Sequence, residues 1–392
     1  MAAAATAHPQ VQAAQARVDA AAGARRTAGT WTNPVFTHWI ENASFSLVGA
    51  PTGLDREAST YGTVPLEPLF QRAPRMRRAD RDVDAARAEV TTVQRQVSLE
   101  AARAFFRVAL SQIVADTEAE NRAALDRLAE YNRARVSQGA IAEVELLRVQ
   151  IEIDRAVLDL AVAQAELARA QVELRRFLGA QAAGNLTGLR VATGPAAFAS
   201  QTPLAPLASL IAQARTRRPE LTAARARIEA AGAETEYQRR LFVRQLGASV
   251  GFKQSAGRSS LIAGISLPLP LFDRNAGEVQ RVTAERVAAE HDMEAASRLV
   301  ETEVEASYET ARQLSAALDG APRTLVDRAA DLRRLTLAAY QEGGATLLQV
   351  LDATRTLSDA RVTYFRAAFA ARQGLIELLI AAGDDPLQNR TK

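Results

Sequence analysis

The residues that most often carry catalysis or bind metals are scattered along this chain. Its three histidines, His8, His38 and His291, lie far apart, it has no cysteine, and its three methionines form no pair. Soft and borderline metal ions are usually bound by clusters of such side chains. The sequence also contains no nucleophile elbow, phosphate-binding glycine loop or clustered acid and base. We therefore predict a protein that is not an enzyme and that has no resident metal or cofactor.

Composition and charge exclude further classes of protein. The net charge is +3, from 48 basic and 45 acidic residues that are interspersed along the chain, so nucleic acid is not an expected partner. Apolar residues make up 48% of the chain but are largely alanine, which favours close helix packing. Because no run of 18 or more apolar residues occurs, an ordinary transmembrane helix is excluded, whereas transmembrane β-strands remain possible.

The strongest pattern in the sequence is one segment that occurs twice. Residues 137–147 read SQGAIAEVELL and residues 341–351 read QEGGATLLQVL, and each lies between two long helical patterns. Four other matches follow in the same order, namely 8–11 with 218–221, 68–70 with 270–272, 97–105 with 300–308, and 178–179 with 382–383. These matches indicate one half of a chain copied into a second half.

Each half is predicted to contain a helix, two strands, a very long helix, a tight turn and a second long helix. The predicted domain boundaries are 1–179 for the first repeat, 180–206 for a connector, 207–383 for the second repeat and 384–392 for a C-terminal tail. The predicted long helices cover about 71–136, 142–178, 274–340 and 346–382, with a kink at 320–322. Leucines and small residues recur every seven positions after the first turn, which favours close contact between helices.

The predicted strands precede the long helices. They cover 33–48 and 59–69 in the first repeat, and 245–254 and 261–271 in the second. In the second pair, apolar residues alternate with small or polar ones, which is typical of a sheet with one apolar face. Two hairpins do not form a stable sheet alone, and a closed membrane barrel needs about eight strands. If these strands enter a bilayer, several chains must therefore combine them.

The segment 266–279, SLPLPLFDRNAGEV, resembles the TolC-type outer membrane factors, also called outer membrane efflux proteins, and within them the heavy-metal efflux, CzcC-like branch. In that family a strand ends in Pro-Leu-Pro-Leu-Phe, turns on Asp-Arg-Asn and enters the long helix. The residues Thr32-Asn33-Pro34, the repeated glycine turns and the segment 351–357, LDATRTL, agree with this resemblance. It covers about residues 8–383, nearly the whole chain.

The resemblance implies a mainly α-helical fold with membrane β-structure. Three chains would form a homotrimer in which each contributes four strands to a twelve-stranded outer membrane β-barrel and long helical hairpins to a periplasmic α-barrel. The implied partners are a periplasmic adaptor, or membrane fusion protein, an inner membrane pump of the RND type, and outer membrane lipid. The implied location is the outer membrane and periplasm of a Gram-negative bacterium. The implied function is a passive exit duct for heavy-metal cations such as cobalt, zinc and cadmium.

The same resemblance implies a pore gate near the second turn. Asp352 matches an acidic position that forms a ring in the pore, where three carboxylates repel each other and attract cations. A second acidic position of the family is Gln349 here. Tyr340 and Glu145 match positions that hold the closed tip by hydrogen bonds between hairpins, whereas the arginine that completes this lock is replaced by Ala345.

Simpler interpretations of these gate residues stay open. Asp352 can equally be a solvated acid in the first turn of a helix, stabilised by the helix dipole. Tyr340 can be a packing residue, and Glu145 can be a surface acid.

The hairpin tips have a structural role that follows from the residues alone. A glycine just past a helix end supplies the left-handed conformation that lets the chain reverse, and Gly139 and Gly343 occupy such positions. The surrounding apolar turn residues would be exposed at a free tip, and the resemblance implies that they dock on the adaptor. The residues assigned to these tips are Gly139, Ala140, Gly343, Gly344 and Leu347.

The sequence leaves open two other classes of function, one within transport and one structural. The same architecture serves drug efflux and type I secretion, and a structural periplasmic coiled coil or adaptor would leave the strand segments unpaired. The segment 1–7 lacks a basic n-region and a full apolar core, so it is not a convincing signal peptide. We expect a short helix and a signal peptide to be missing before it.

Overall fold

The computed structural model describes residues 8–43, 55–182, 203–241, 246–320 and 322–384, which form eight α-helices and four β-strands. In chain order the elements are α1 (Pro9–Gly29), β1 (Val35–Glu41), β2 (Glu57–Pro65), α2 (Pro68–Ser137), α3 (Glu143–Ala182), α4 (Leu207–Arg217), α5 (Pro219–Arg240), β3 (Gly247–Ser255), β4 (Arg258–Ser266), α6 (Ala276–Gly320), α7 (Pro322–Gln341) and α8 (Leu347–Ala381). None of the described helices has both the length and the apolar composition needed to cross a bilayer.

The strands end earlier than the sequence predicted. The second strand was predicted to reach residue 69, but β2 ends at Pro65 because Pro68 already begins α2, a position that proline favours. The fourth was predicted to reach residue 271, but β4 ends at Ser266. Pro268 and Pro270 lack the N–H group that a strand ladder requires, which explains this early end.

Other predictions fall partly on residues outside those described. The end of the first predicted strand and its turn lie within 44–54, and most of the predicted connector lies within 183–202. The segment 1–7 and the tail after residue 384 are also outside the described residues. The predicted helix 274–340 is divided at the position of the predicted kink, since α6 ends at Gly320 and α7 begins at Pro322.

The chain divides into two compact units, and each contains residues from both predicted repeats. The sheet unit consists of residues 13–91 and 219–297, and the hairpin unit consists of residues 1–12, 92–218 and 298–392.

The sheet unit contains one antiparallel sheet with the strand order β1-β2-β3-β4. The two predicted hairpins are joined because β2 pairs with β3, with Thr60 opposite Phe252. One face of the sheet is mostly apolar and exposed, and its large side chains are Phe36, Ile40, Val64, Val250, Phe252, Leu261 and Ile265. The opposite face is largely polar. A side chain at Gly251 would collide with β2, because an added Cβ atom would lie only 2.1 Å from the carbonyl oxygen of Thr60. The strands β1 and β4 are the edges of this sheet.

The Asp-Arg-Asn segment starts α6 by a specific set of hydrogen bonds. Asn275 is buried and has a φ of 61°, a left-handed conformation that asparagine tolerates better than most residues. Its N–H donates to Asp273 Oδ1 at 2.8 Å, and its Nδ2 donates to the carbonyl oxygen of Gln238 at 2.8 Å. Its own carbonyl oxygen accepts from the N–H of Val279, so Asn275 is the N-cap residue of α6.

The hairpin unit has a core built largely from small residues. In α3 the side chains at the second heptad position are all buried, and they are Val149, Ala156, Ala163, Ala170 and Phe177. At the heptad position three residues earlier, Leu174 is also buried, whereas the other members are half-buried, and they are Leu146, Ile153, Leu160 and Leu167. In α8, Gly374 lies beside Ala311, where an added Cβ would be 3.7 Å from the Cα atom of that alanine. Small residues at these positions allow close approach between helix axes, as the heptad spacing predicted.

Candidate gate at the hairpin turns

Two turns of the same backbone geometry connect the long helices of the hairpin unit. Gly139, between α2 and α3, has a φ of 69°, and Gly343, between α7 and α8, has a φ of 81°. The N–H groups of Ala140 and Gly344 donate to the carbonyl oxygens of Arg135 and Ala339, at 2.9 Å and 2.7 Å. These bonds close the ends of α2 and α7 in the manner of Schellman motifs. Apart from the adjacent residues of the chain, no heavy atom of the described residues lies within 4 Å of an added Cβ at either glycine, so only the backbone conformation requires glycine there.

Tyr340 joins the two hairpins through a buried hydrogen bond. Its ring lies in an apolar cluster with Leu128, Val149, Leu347 and Val350 among others. Its hydroxyl donates to Oδ1 of the fully buried Asn132 in α2, at 2.8 Å. A hydrogen bond in such an apolar surrounding is stronger than one in water, and an unpaired partner there is costly.

Asn132 is only partly satisfied by this bond. Its Nδ2 atom is buried and has no hydrogen-bond partner among the described residues. Asn132 was not among the residues predicted from the sequence, although a signal existed. It is a polar residue at a position where helical spacing from Leu125 and Leu128 predicts an apolar one.

An arginine lies over the aromatic rings at this junction. The guanidinium carbon of Arg135 lies 5.5 Å from the ring centre of Tyr340 and 5.7 Å from that of Tyr131. The two tyrosine rings meet edge to face, with their centres 6.1 Å apart. Arg135 thus places a positive charge over Tyr340 from the end of α2, whereas Ala345 occupies the position where the resemblance implies an arginine.

Glu145 acts on Tyr340 through its charge. Burial raises the pKa of the Tyr340 phenol above its ordinary value, and the negative charge of Glu145 raises this pKa further. A tyrosine phenol already holds its proton at neutral pH, and the raised pKa extends the pH range over which Tyr340 can donate to Asn132 towards more alkaline values. The hydroxyl of Tyr340 donates to Asn132 rather than to Glu145. The hydrogen-bonding role of Glu145 therefore remains a prediction.

Gln349 caps the helix that carries the predicted pore acid. The side chain of Thr346 accepts from the N–H of Gln349 at 3.4 Å, and Gln349 Oε1 accepts from the N–H of Thr346 at 2.8 Å. This reciprocal pair is a capping box at the start of α8. Asp352 follows on the exposed side of the same helix. The pore-facing roles of Gln349 and Asp352 remain predictions.

The tip prediction requires one correction. Leu347 was expected to be exposed for docking, but it is only 4% exposed because it packs in the apolar cluster of Tyr340. The adjacent Leu348 is 66% exposed, and Val144 and Leu147 are exposed on the first turn's helix. Ala140 and Gly344 are exposed as predicted, as are Gly139 and Gly343.

Polar contacts also connect α8 to the first hairpin further from the turns. Arg355 lies 3.1 Å from Glu152 in α3, and the hydroxyl of Ser358 donates to Glu118 in α2 at 3.3 Å. These residues line a polar cavity of about 160 Å³. No group of three or more histidine, cysteine or acidic side chains that could hold a metal ion occurs among the described residues.

Comparison with known proteins agrees with this architecture. The family model described as outer membrane efflux protein matches residues 2–180 and 210–384. The cobalt-zinc-cadmium resistance protein CzcC of Cupriavidus metallidurans is 26% identical over 373 residues, which cover 90% of this chain and 82% of that protein. The solved structure of the outer-membrane channel OprN has a TM-score of 0.78 at 17% identity, covering 97% of this chain and 88% of that chain. The crystal structure of CusC has a TM-score of 0.75 at 17% identity, covering 98% and 91%.

Proposed function

Because this chain belongs to the outer membrane efflux protein family, we propose that it is the passive exit channel of a tripartite efflux system for heavy-metal cations. Membership in this family indicates an efflux channel of the TolC type in a Gram-negative outer membrane, and the family and its structural neighbours are channels rather than enzymes. The observation that carries the metal substrate is the similarity to CzcC, which extends over 90% of this chain. Cobalt, zinc and cadmium ions are therefore the proposed substrates.

The sheet supports an assembly of several copies. Strands β1 and β4 are both edges, and an unpaired edge of this kind is a template for pairing with another chain. Glu41 and Arg258 lie on the same face at the same end of the two edges, so their charges favour pairing of β4 with β1 of a second copy. Three copies would close the twelve-stranded barrel, with outer membrane lipid on the apolar face.

The long helices of the three copies would form the periplasmic α-barrel, and its tips would meet the adaptor. Exposed apolar side chains support this docking surface, and they are Val144, Leu147 and Leu348 beside the turns at Gly139 and Gly343. The channel carries no energy source of its own, so an inner membrane RND-type pump would supply transport energy and select the metal.

In this proposal the second turn lines the gate. The buried bond between Tyr340 and Asn132 would hold the hairpins in the closed arrangement, with Glu145 beside it. Three copies of the exposed Asp352 would form a ring of carboxylates in the pore. These carboxylates would repel one another and attract cations. Because divalent cations bind a carboxylate ring more strongly than monovalent ones, they should block or slow conduction at this point.

Two measurements test the proposal. The purified full chain in planar bilayers should give discrete ion conductance that divalent cations reduce. In cells that carry a CzcC-type adaptor and pump but lack their channel, expression of this chain should restore tolerance to zinc, cobalt and cadmium. Restored tolerance to drugs without restored tolerance to metals would instead assign the chain to drug efflux, and absent conductance would contradict the channel itself.

A further inference from the structure

The charged side chains of the sheet lie together at one end of its polar face. In the four described strands this face has four of them, Glu41, Glu57, Lys253 and Arg258. Glu57 lies opposite Glu41 on β1, and Arg258 lies opposite Ser255 on β3. These residues are next to the turns that connect β1 to β2 and β3 to β4, whereas the helices adjoin the other end of the strands. The apolar face has no acidic, lysine or arginine side chain in these strands, so charge is confined to one end of one face.

Lys253 is an unusual residue in this chain. The sequence has 48 lysines and arginines, and only Lys253 and Lys392 are lysines. The Nζ atom of Lys253 forms an ion pair with Oε2 of Glu57, and the hydroxyl of Ser255 donates to Oε1 of Glu57 at 2.7 Å. Both carboxylate oxygens of Glu57 therefore already have a partner from β3. The ammonium is a compact, hydrated charge, and 38% of the Lys253 side chain is exposed on the polar face.

The charges at this end of the polar face cancel. The strands place two acids and two bases there, and the turn before β2 adds one more of each, Asp55 and Arg56. Glu41 is near enough for its negative charge to act on Lys253. A surface whose charges have one sign concentrates counter-ions, whereas a balanced surface does not. Loss of the ammonium of Lys253 would leave Glu57 without its cation and make this end of the sheet negative.

We propose that Lys253 determines the ion selectivity of the outer exit of the channel. This role of Lys253 rests on the proposed function, in which the apolar face meets lipid, so that the polar face lines the pore and its charged end is the exit. The ammonium neutralises Glu57 and occupies a carboxylate oxygen that would otherwise be free to bind a metal cation. A conducting pore must bind its ion weakly enough to release it. Lys253 thus keeps the exit from retaining the exported metal.

The substitution Lys253→Met tests this role in planar bilayers. It removes the positive charge and leaves the acids at the exit in excess, so the pore should favour cations more strongly. In a gradient of dilute potassium chloride, the reversal potential of the full-length variant should shift towards the equilibrium potential of the potassium ion. The shift should disappear in concentrated salt, because exposed charges are screened within about 3 Å at 1 M. An unchanged reversal potential in dilute salt would overturn the proposed role of Lys253.

Two variants that keep the balance of charge are the matched controls. Lys253→Arg retains a cation on β3, and Glu57→Lys combined with Lys253→Glu exchanges the two members of the ion pair. Both should keep the reversal potential of the unmodified chain, since the net charge at the exit is the same in all three proteins. A shift in Lys253→Arg as large as that in Lys253→Met would mean that the shape of this side chain, rather than its charge, sets the selectivity, contrary to the proposal.

Chemical modification of the assembled protein tests the same charge if Lys253→Met does not fold. In a chain with Lys392→Arg, Lys253 is the only remaining lysine. Acetic anhydride converts its ammonium to an uncharged amide, and mass spectrometry confirms the modification. The chain with both Lys392→Arg and Lys253→Arg is the control, since its only amine is the N-terminal one. Acetylation should shift the reversal potential only where Lys253 is present, and an equal response of the two chains would refute the proposed role.

Block by zinc chloride measures whether the exit retains a metal cation. The comparison uses the Asp352→Asn background, which weakens the carboxylate ring predicted at the other end of the channel. Adding Lys253→Met to this background should lower the zinc concentration needed for half block, because Glu57 is then free to bind zinc. Equal block in the two proteins would contradict the release role. Absence of conductance in the unmodified chain contradicts the proposed channel itself, whereas normal conductance with unchanged selectivity in Lys253→Met contradicts only the role of Lys253.

Discussion

The two hairpin turns have the same backbone and different surroundings. Gly139 and Gly343 are both left-handed, and the same kind of bond closes the preceding helix in each turn. The second turn is flanked by the buried Tyr340 and Leu347, whereas the first is followed by exposed residues such as Val144 and Leu147. The duplication therefore preserved the fold of the turn, while the side chains diverged. The second turn became part of a core between hairpins, and the first became a surface.

The largest effect should come from removing the buried flank of the second turn. Leu347→Ala deletes a core side chain next to Tyr340, and such deletions cost about 2–5 kcal/mol of unfolding free energy. Leu348→Ala is the matched control, since substitutions at exposed positions usually stay within about 0.5 kcal/mol. Unfolding of the purified proteins in guanidinium chloride measures both. Equal losses would contradict the packing of the second turn.

The hydrogen bond between the hairpins should give the next largest effect. Tyr340→Phe leaves Oδ1 of the buried Asn132 unpaired, which should cost about 1–3 kcal/mol. Adding Asn132→Leu to that variant removes both unpaired polar atoms, so much of the loss should be recovered. Denaturation of the two single variants and the double variant measures this coupling. A double variant less stable than Tyr340→Phe would mean that Asn132 has further partners.

Alanine at the turn glycines should have a smaller effect that is equal in the two turns. Gly139→Ala and Gly343→Ala place a Cβ in a left-handed conformation, which costs roughly 1–2 kcal/mol. The added methyl group meets no neighbour in either turn, so conformation alone sets the loss.

Gly232→Ala in α5 is the control for this pair of substitutions. It also meets no neighbour, but it lies inside a helix, so alanine there should stabilise by roughly 0.5–1 kcal/mol. Thermal unfolding of the three variants would show whether the sign reverses. A clear difference between Gly139→Ala and Gly343→Ala would contradict the shared backbone geometry.

Asp352→Asn should have the smallest effect on stability and the clearest effect on ion conduction. Asp352→Asn changes an exposed side chain, so the unfolding free energy should stay within about 0.5 kcal/mol. If three copies form the proposed ring, the variant should need higher concentrations of divalent cation for the same block in planar bilayers. Glu143→Gln on the first turn is the control and should leave the block unchanged. A similar change in both variants would remove the proposed functional difference between the turns.

Local patterns in the sequence predicted the features that depend on neighbours along the chain. Heptad spacing predicted the long helices, period-two alternation predicted the strands, and the two glycines predicted the turns, because each depends on residues a few positions apart. The Asp-Arg-Asn segment identified the family, and Asn275 has a structural reason to occur there, since it caps α6 in a left-handed conformation.

The tertiary structure decided the features that join distant parts of the chain. Tyr340 and Asn132 are 208 residues apart, and no local period indicates that they share a hydrogen bond. The pairing of β2 with β3, which turns two hairpins into one sheet, depends on a register between segments separated by two long helices. Burial of Leu347 rather than Leu348 depends on which side of α8 meets the first hairpin. Sequence alone thus determined the elements and the duplication, whereas packing between elements decided which residues became core, partner or surface.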